Sequence, residues 1–132
     1  MSIVNDKLTM PNTGLNGPYK LSTERIDEIV TKKSPGVYVL ERGIDPDSFV
    51  VNYVGRSDDD VNDRLKKWVG IKDYRRFKFG YFSSPKAAFE KECIIYHDFD
   101  GPKGGLDNEV HPQRPEGSGW QCPSCDKFNN TW

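Results

Sequence analysis

The chain has 132 residues, with 19 Lys and Arg against 20 Asp and Glu and a formal net charge of −1, a balance that excludes a general cationic coat for nucleic acid. Hydrophobic residues make up 35% and charged residues 30%, with a mean hydropathy of −0.75. That supplies Val, Ile, Leu and aromatics for one core, in a chain too short for a second. Apolar runs such as Val37 to Leu40 are four or five residues long, far short of the ~20 of a bilayer span. The opening Met1 to Lys7 has no basic segment followed by an apolar one. The expectation is therefore a cytoplasmic protein in a reducing compartment, without a membrane partner.

Residues 1–20 carry Asn5, Pro11, Gly14, Asn16, Gly17 and Pro18 without an apolar period, which predicts a loop or loosely docked arm. Ile26, Ile29 and Val30 recur at helical spacing behind Ser22, predicting a short helix to about Lys33 that ends at Ser34-Pro35-Gly36. Val37–Glu41 and Phe49–Val54 are β-branched and aromatic, and a turn-rich loop joins them. Two antiparallel strands are expected. Ser57 or Asp58 can cap a helix whose Val61, Leu65, Trp68 and Val69 share one face and which ends at Gly70. Phe77–Phe82 reads as a third strand, and Ser84-Pro85 opens a further helix with Phe89, Cys93 and Tyr96 on its inner stripe. From Asp98 onward Gly and Pro recur every few residues, and such a tail needs a staple if it is to be ordered.

Charge is unevenly placed. Arg64, Lys66, Lys67, Lys72, Arg75, Arg76 and Lys78 face only Asp73 in their stretch, directly after the acidic Asp58, Asp59, Asp60 and Asp63. The run fits either a phosphate-facing patch or an exposed helix and loop.

Gly36-Val37-Tyr38, then Tyr53-Val54-Gly55, then an arginine in the next helix and a glutamate in a later one resemble the GIY-YIG endonuclease family from about Pro35 to Asn108. The resemblance implies an α+β domain over residues 21–108, with a small three-stranded antiparallel sheet flanked by helices. It also implies hydrolysis of nucleic-acid phosphodiesters, DNA being the expected partner, and one Mg²⁺ or Mn²⁺ held mainly by the glutamate. Tyr38 and Leu40 face one side of their strand, Val37 and Val39 the other. By the resemblance Tyr38 orients or deprotonates the attacking water, with Tyr53 beside it. At a pKa of ~10 the phenolate costs about 4 kcal/mol at pH 7, and Arg56 and Arg64 are the nearest cations in sequence.

Arg64 corresponds to the helical arginine, whose planar fork would stabilise charge on the phosphate, although it follows Gly55 by one residue more than the common pattern. Where many members carry His or Tyr four residues further on, this chain has Trp68, which is neither acid, base nor metal ligand. For the carboxylate the helix offers Glu90 and Glu92, which helical geometry does not separate. By the resemblance, in which a small residue often precedes the glutamate by four positions on the same helix face, Ala88 points to Glu92. Asn108 resembles an asparagine that holds loop or phosphate, and Arg56, Lys67, Arg75 and Arg76 complete the expected nucleic-acid contacts.

Cys122-Pro-Ser-Cys125 is half of a tetrahedral site. The chain's two histidines, His97 and His111, complete a Cys2His2 set that would staple the 109–132 tail through a structural zinc, with Cys93 as an alternative to His97. Competing readings are a nucleic-acid-binding module that has lost turnover, motivated by Trp68 and the shifted Arg64, and a zinc-stabilised protein-interaction module, motivated by the neutral charge.

Overall fold

The computed structural model describes residues 12–128. In chain order it contains β1 (Asn16–Lys20), α1 (Thr23–Ile29), β2 (Gly36–Glu41), β3 (Tyr53–Ser57), α2 (Val61–Lys66), β4 (Arg76–Tyr81) and α3 (Pro85–Asp98), followed by a 3-10 turn at Gly101–Gly104. The strands form one antiparallel sheet in the order β1-β4-β2-β3. The class is α+β, as expected, but the sheet has four strands rather than three.

The additional strand comes from the segment expected to be a loose arm. Tyr19 packs against Phe77 and Phe79 with ring centroids 5.6 and 6.3 Å apart, and an irregularity between Asn16 and Tyr19 absorbs Gly17 and Pro18. A proline is tolerated there because β1 is an edge strand. The rest of the expected arm, residues 1–11, lies outside the described residues.

Two other boundaries move for identifiable reasons. Phe49–Val54 was expected as a strand, yet β3 begins only at Tyr53. The pairing with β2 is broken before it: the Val50 N–H donates to Glu41 Oε2 at 2.7 Å, the Asn52 carbonyl accepts from the Asp107 N–H at 2.6 Å, and opposite them the Arg42 N–H is taken by Asn52 Oδ1 at 2.8 Å. The cap of α2 is Asp60, which accepts from the Asp63 N–H, while Ser57 Oγ accepts from the Asp59 and Asp60 N–H groups and turns the chain out of β3. Ser84 caps α3, with Pro85 in its first turn, as the sequence predicts.

One core face of the sheet gathers Tyr38, Leu40, Phe77 and Phe79 against Ile26 of α1 and Val61 and Leu65 of α2. The other gathers Val37, Val39 and Val54 against Ala88 and Ile95 of α3. The alternation along β2 thus separates two layers of helix. A third cluster joins Phe89 and Cys93 of α3 to Cys122 and Trp120 of the tail. No helix among the described residues is long and apolar enough to cross a membrane.

Arg76, expected to contact nucleic acid, has a structural use instead. Its Nε donates to Glu41 Oε1 at 2.9 Å, its Nη2 to the Ser48 carbonyl at 2.7 Å, and Glu41 is only 2% exposed. Removing one partner of a buried pair strands the other charge. Arg76→Ala is expected to cost about 3–5 kcal/mol in urea unfolding. A loss under about 1 kcal/mol would show the pair to be solvent-screened.

Candidate active site and metal centre

Strand order sets the site. Tyr38 lies on the interior strand β2 and Tyr53 on the edge strand β3, with Tyr38 opposite Gly55 and Leu40 opposite Tyr53. The two tyrosines therefore point to the same face, one step apart along the ladder. A Cβ on Gly55 would fall on the Tyr38 phenol ring and hydroxyl. The missing side chain is what lets a tyrosine from the interior strand reach across the edge strand. Gly36 has a comparable reason, since a Cβ there would lie 2.7 Å from the Gly80 carbonyl oxygen and 2.8 Å from Val61 Cβ. Gly55→Ala is expected to displace Tyr38 and to abolish any activity that depends on its hydroxyl while the protein still folds. Full activity in the alanine variant would show that the ring does not need this passage.

The Tyr38 hydroxyl, on a side chain 1% exposed, accepts a hydrogen bond from Trp68 Nε1 at 2.7 Å. Trp68 in turn packs against Tyr53 in a tilted arrangement, centroids 4.6 Å apart. Burial pushes the Tyr38 phenol well above its ordinary pKa, and that of Tyr53 upward also. Both are neutral phenols at pH 7, so the cation pair Arg56 and Arg64 does not make a resting phenolate of Tyr38.

From the opposite layer, α3 brings up Glu92, 8% exposed, whereas Glu90 is half-buried on the same helix. Burial therefore distinguishes the two glutamates after all. Glu92 Oε1 accepts from Arg56 Nη1 at 2.7 Å, and Arg56 Nε donates to Asp58 Oδ1 at 2.8 Å. The Arg56 guanidinium also lies over the Phe89 ring, 5.1 Å from its centroid. Arg56 is thus clamped between two carboxylates, although sequence reasoning placed it against nucleic acid. Burial pushes the Glu92 carboxyl up to about 7, with Arg56 pulling only part of that shift back. Arg64 donates through Nη1 to the Arg56 carbonyl at 3.2 Å, which leaves its remaining donors toward the cleft.

Asn108 closes the free edge of β3. Its Oδ1 accepts from the Val54 N–H at 3.0 Å and its Nδ2 donates to the Val54 carbonyl at 2.7 Å, standing in for a neighbouring strand. These groups surround one cleft of about 650 Å³, lined by Tyr38, Tyr53, Arg56, Arg64, Glu92 and Asn108 and walled on the tail side by His111, Pro112 and Gln113. Asp58 and Asp59 add two further carboxylates, so the cleft is suited to an anionic substrate only if a cation accompanies it. Glu92 meets Arg56 through Oε1, and among the described residues no protein donor reaches Oε2.

Behind the wall His97, His111, Cys122 and Cys125 bring one ligand atom each within 4.8 Å of one another. His111 Nδ1 is 2.7 Å from the Pro112 carbonyl oxygen, an acceptor only. The ring proton therefore sits on Nδ1 and the Nε2 lone pair is free. That Nε2 lies 3.1 Å from His97 Nε2 and 3.4 Å from Cys125 Sγ, close to the ~3.3–3.8 Å edges of a tetrahedron drawn with zinc–nitrogen and zinc–sulfur bond lengths. The cluster can hold a metal such as zinc. His97, not Cys93, is its fourth member, because Cys93 is packed against Phe89 and Cys122 in the third core cluster.

No family model, curated protein or solved structure matches this chain. The site is therefore read from its own geometry. That geometry brings together Tyr38, Tyr53, Arg56, Arg64, Glu92 and Asn108, and it leaves Lys67, Arg75 and Arg76 outside the cleft. Lys67 is exposed and lies 3.6 Å from Asp63, one helical turn away. Lys66 pairs with Asp27 at 2.6 Å, and Arg75 is exposed on a separate groove beside Tyr19 and Ile44. The basic run is thus dispersed. Sequence reasoning missed the donor role of Trp68 and the wall at Pro112–Gln113. For the wall, the only available signal was the position of His111 within a set of metal ligands.

Proposed function

We propose that this protein is a divalent-metal-dependent endonuclease that hydrolyses phosphodiester bonds, with DNA as the expected substrate. The observation that carries the reading is that two phenols, an arginine fork and a buried carboxylate, supplied by β2, β3, α2 and α3, meet in one polar cleft. None of these elements would hold such a set for packing alone, since Glu92 is both desolvated and within reach of solvent in the cleft. When bound, Mg²⁺ or Mn²⁺ supplies a Lewis acid for phosphoryl oxygen, and Glu92 is the residue that would hold it. Arg56 orients the Glu92 carboxylate. Arg64 offers a planar fork to the phosphate. Tyr38, neutral at pH 7, holds a proton at its hydroxyl, and Tyr53 closes the side of the cleft next to it. The His97, His111, Cys122 and Cys125 cluster is assigned to a structural zinc that pins the tail to α3, separate in chemistry from the ion at Glu92 because thiolate and imidazole select zinc whereas carboxylate and water suit Mg²⁺.

The experiment is incubation of the purified protein with supercoiled plasmid, with and without Mg²⁺. Conversion to nicked or linear product that requires the metal and is lost in Glu92→Gln supports the reading. Intact plasmid at every metal tried, in the presence of salt-dependent binding, would leave a nucleic-acid-binding module in its place.

A further inference from the structure

We propose that Trp68 is a positioning residue that orients the Tyr38 hydroxyl, so that its proton is left free to be donated to the substrate. An indole N–H donates and never accepts. At 2.7 Å from Tyr38 Oη, it obliges the phenol oxygen to spend a lone pair on the indole. A histidine or a second tyrosine in this position could reverse roles with the phenol, whereas tryptophan cannot. The phenol proton must then point elsewhere, and among the described residues no acceptor takes it, while Tyr38 is one of the residues that line the cleft. Tyr38 therefore presents O–H outward. The group that receives this proton must be an acceptor, such as a non-bridging phosphate oxygen or the oxygen of a bound water.

The support for the indole is itself rigid. Trp68 is held at a tilt against Tyr53, centroids 4.6 Å apart, and edge-on to Tyr74 at 5.6 Å, and Tyr74 is anchored through its hydroxyl, which donates to Asp107 at 2.5 Å. Two aromatic neighbours thus fix the direction of the N–H, and the N–H fixes the phenol. The same bond stabilises negative charge as it develops on the Tyr38 oxygen, since a hydrogen bond to a charged acceptor is roughly twice as strong as one to a neutral acceptor.

This role rests on the nuclease reading of the cleft, and two measurements on the full chain keep the two apart. The first is the indole N–H resonance of Trp68 in the proton–nitrogen spectrum, identified as the one of three tryptophan signals that disappears in Trp68→Phe. Tyr38→Phe is expected to move it upfield, because the acceptor is gone. An unmoved resonance would overturn the proposal whether or not the protein cleaves anything. The second is steady-state cleavage of plasmid with Mg²⁺. Trp68→Phe is expected to lower kcat by about tenfold with KM unchanged, in the range of one hydrogen bond to a developing charge, and to cause no further loss in a Tyr38→Phe background, since Trp68 acts through that hydroxyl. Wild-type kcat in Trp68→Phe, or an equal additional loss in the double variant, would show Trp68 to be packing only and overturn the proposal. If Trp68→Phe does not fold, the Trp68 signal is identified by elimination in Trp120→Phe and Trp132→Phe, and its shift in Tyr38→Phe decides. If the wild-type protein cleaves no nucleic acid while the resonance shift is present, the nuclease reading fails and the positioning role fails with it, although the hydrogen bond itself stands.

Discussion

Glu92→Gln is expected to reduce metal-dependent cleavage by about a thousandfold or more, corresponding to ~4 kcal/mol of transition-state stabilisation lost with the ion. Glutamine is isosteric and still accepts from Arg56, so the melting temperature should hold. The pH behaviour separates this residue from a surface carboxylate. The ordinary value of 4.5 is raised to about 7 by burial, so between those limits the folded protein keeps a proton that the unfolded chain has released. Ionising Glu92 therefore works against the fold. The stability is therefore fully present below about pH 4.5 and is lost as pH rises from there through 7. Metal binding runs in the opposite sense, because the cation needs the carboxylate. Cleavage at limiting Mg²⁺ should rise about tenfold per pH unit below 7 and level off above it. Unfolding of the metal-free protein should show the stability slope in the wild type and a flatter one in Glu92→Gln. If Glu92→Gln cleaves normally and Glu90→Gln does not, the metal assignment moves to the half-buried neighbour.

Cys122→Ser is expected to have the second-largest effect, and on both stability and activity. A zinc held at a hundredfold excess over its dissociation constant contributes about 2.7 kcal/mol, or roughly 10 °C of melting temperature for a domain of this size. The purified protein should carry one zinc per chain by elemental analysis, and the serine variant should carry less and melt earlier. From the sequence, zinc and the catalytic ion are expected to act independently. The tertiary structure predicts coupling instead, since His111 belongs both to the cluster that could hold the zinc and to the cleft wall formed with Pro112 and Gln113. Loss of zinc should therefore also weaken cleavage, chiefly as a higher KM, whereas removal of Mg²⁺ should stop cleavage without lowering the melting temperature. Absence of zinc together with unchanged melting of Cys122→Ser would return His97 and His111 to ordinary polar roles.

Local features were legible where the determining residues are neighbours in sequence. The start of α3 is written in Ser84-Pro85, the pairing of β2 with β3 in two β-rich runs flanking a turn-rich loop, and the ligand set of the tail in a Cys-x-x-Cys spacing and the chain's two histidines. The edge strand β1 was not legible, because Gly17 and Pro18 are local strand breakers and what holds Tyr19 in the sheet is Phe77 and Phe79, some sixty residues on. Arg76 looked like one cation in a basic run because its partner, Glu41, is supplied by a different strand.

The sequence by itself determined the mixed α+β class, the alternation that gives β2 two faces and the composition of the metal cluster, since these depend on residue type and short-range spacing, whereas the chemistry expected of Tyr38, Tyr53, Arg64 and Glu92 rested on the GIY-YIG resemblance. Only the tertiary structure decided which glutamate is buried, that Arg56 is clamped by Asp58 and Glu92, that Trp68 donates to Tyr38, and that the tail walls the cleft. Each of those is a matter of which distant side chains exclude water from one another. Desolvation and the direction of a hydrogen bond are set by the neighbours that packing brings together, and no period or spacing along the chain encodes them.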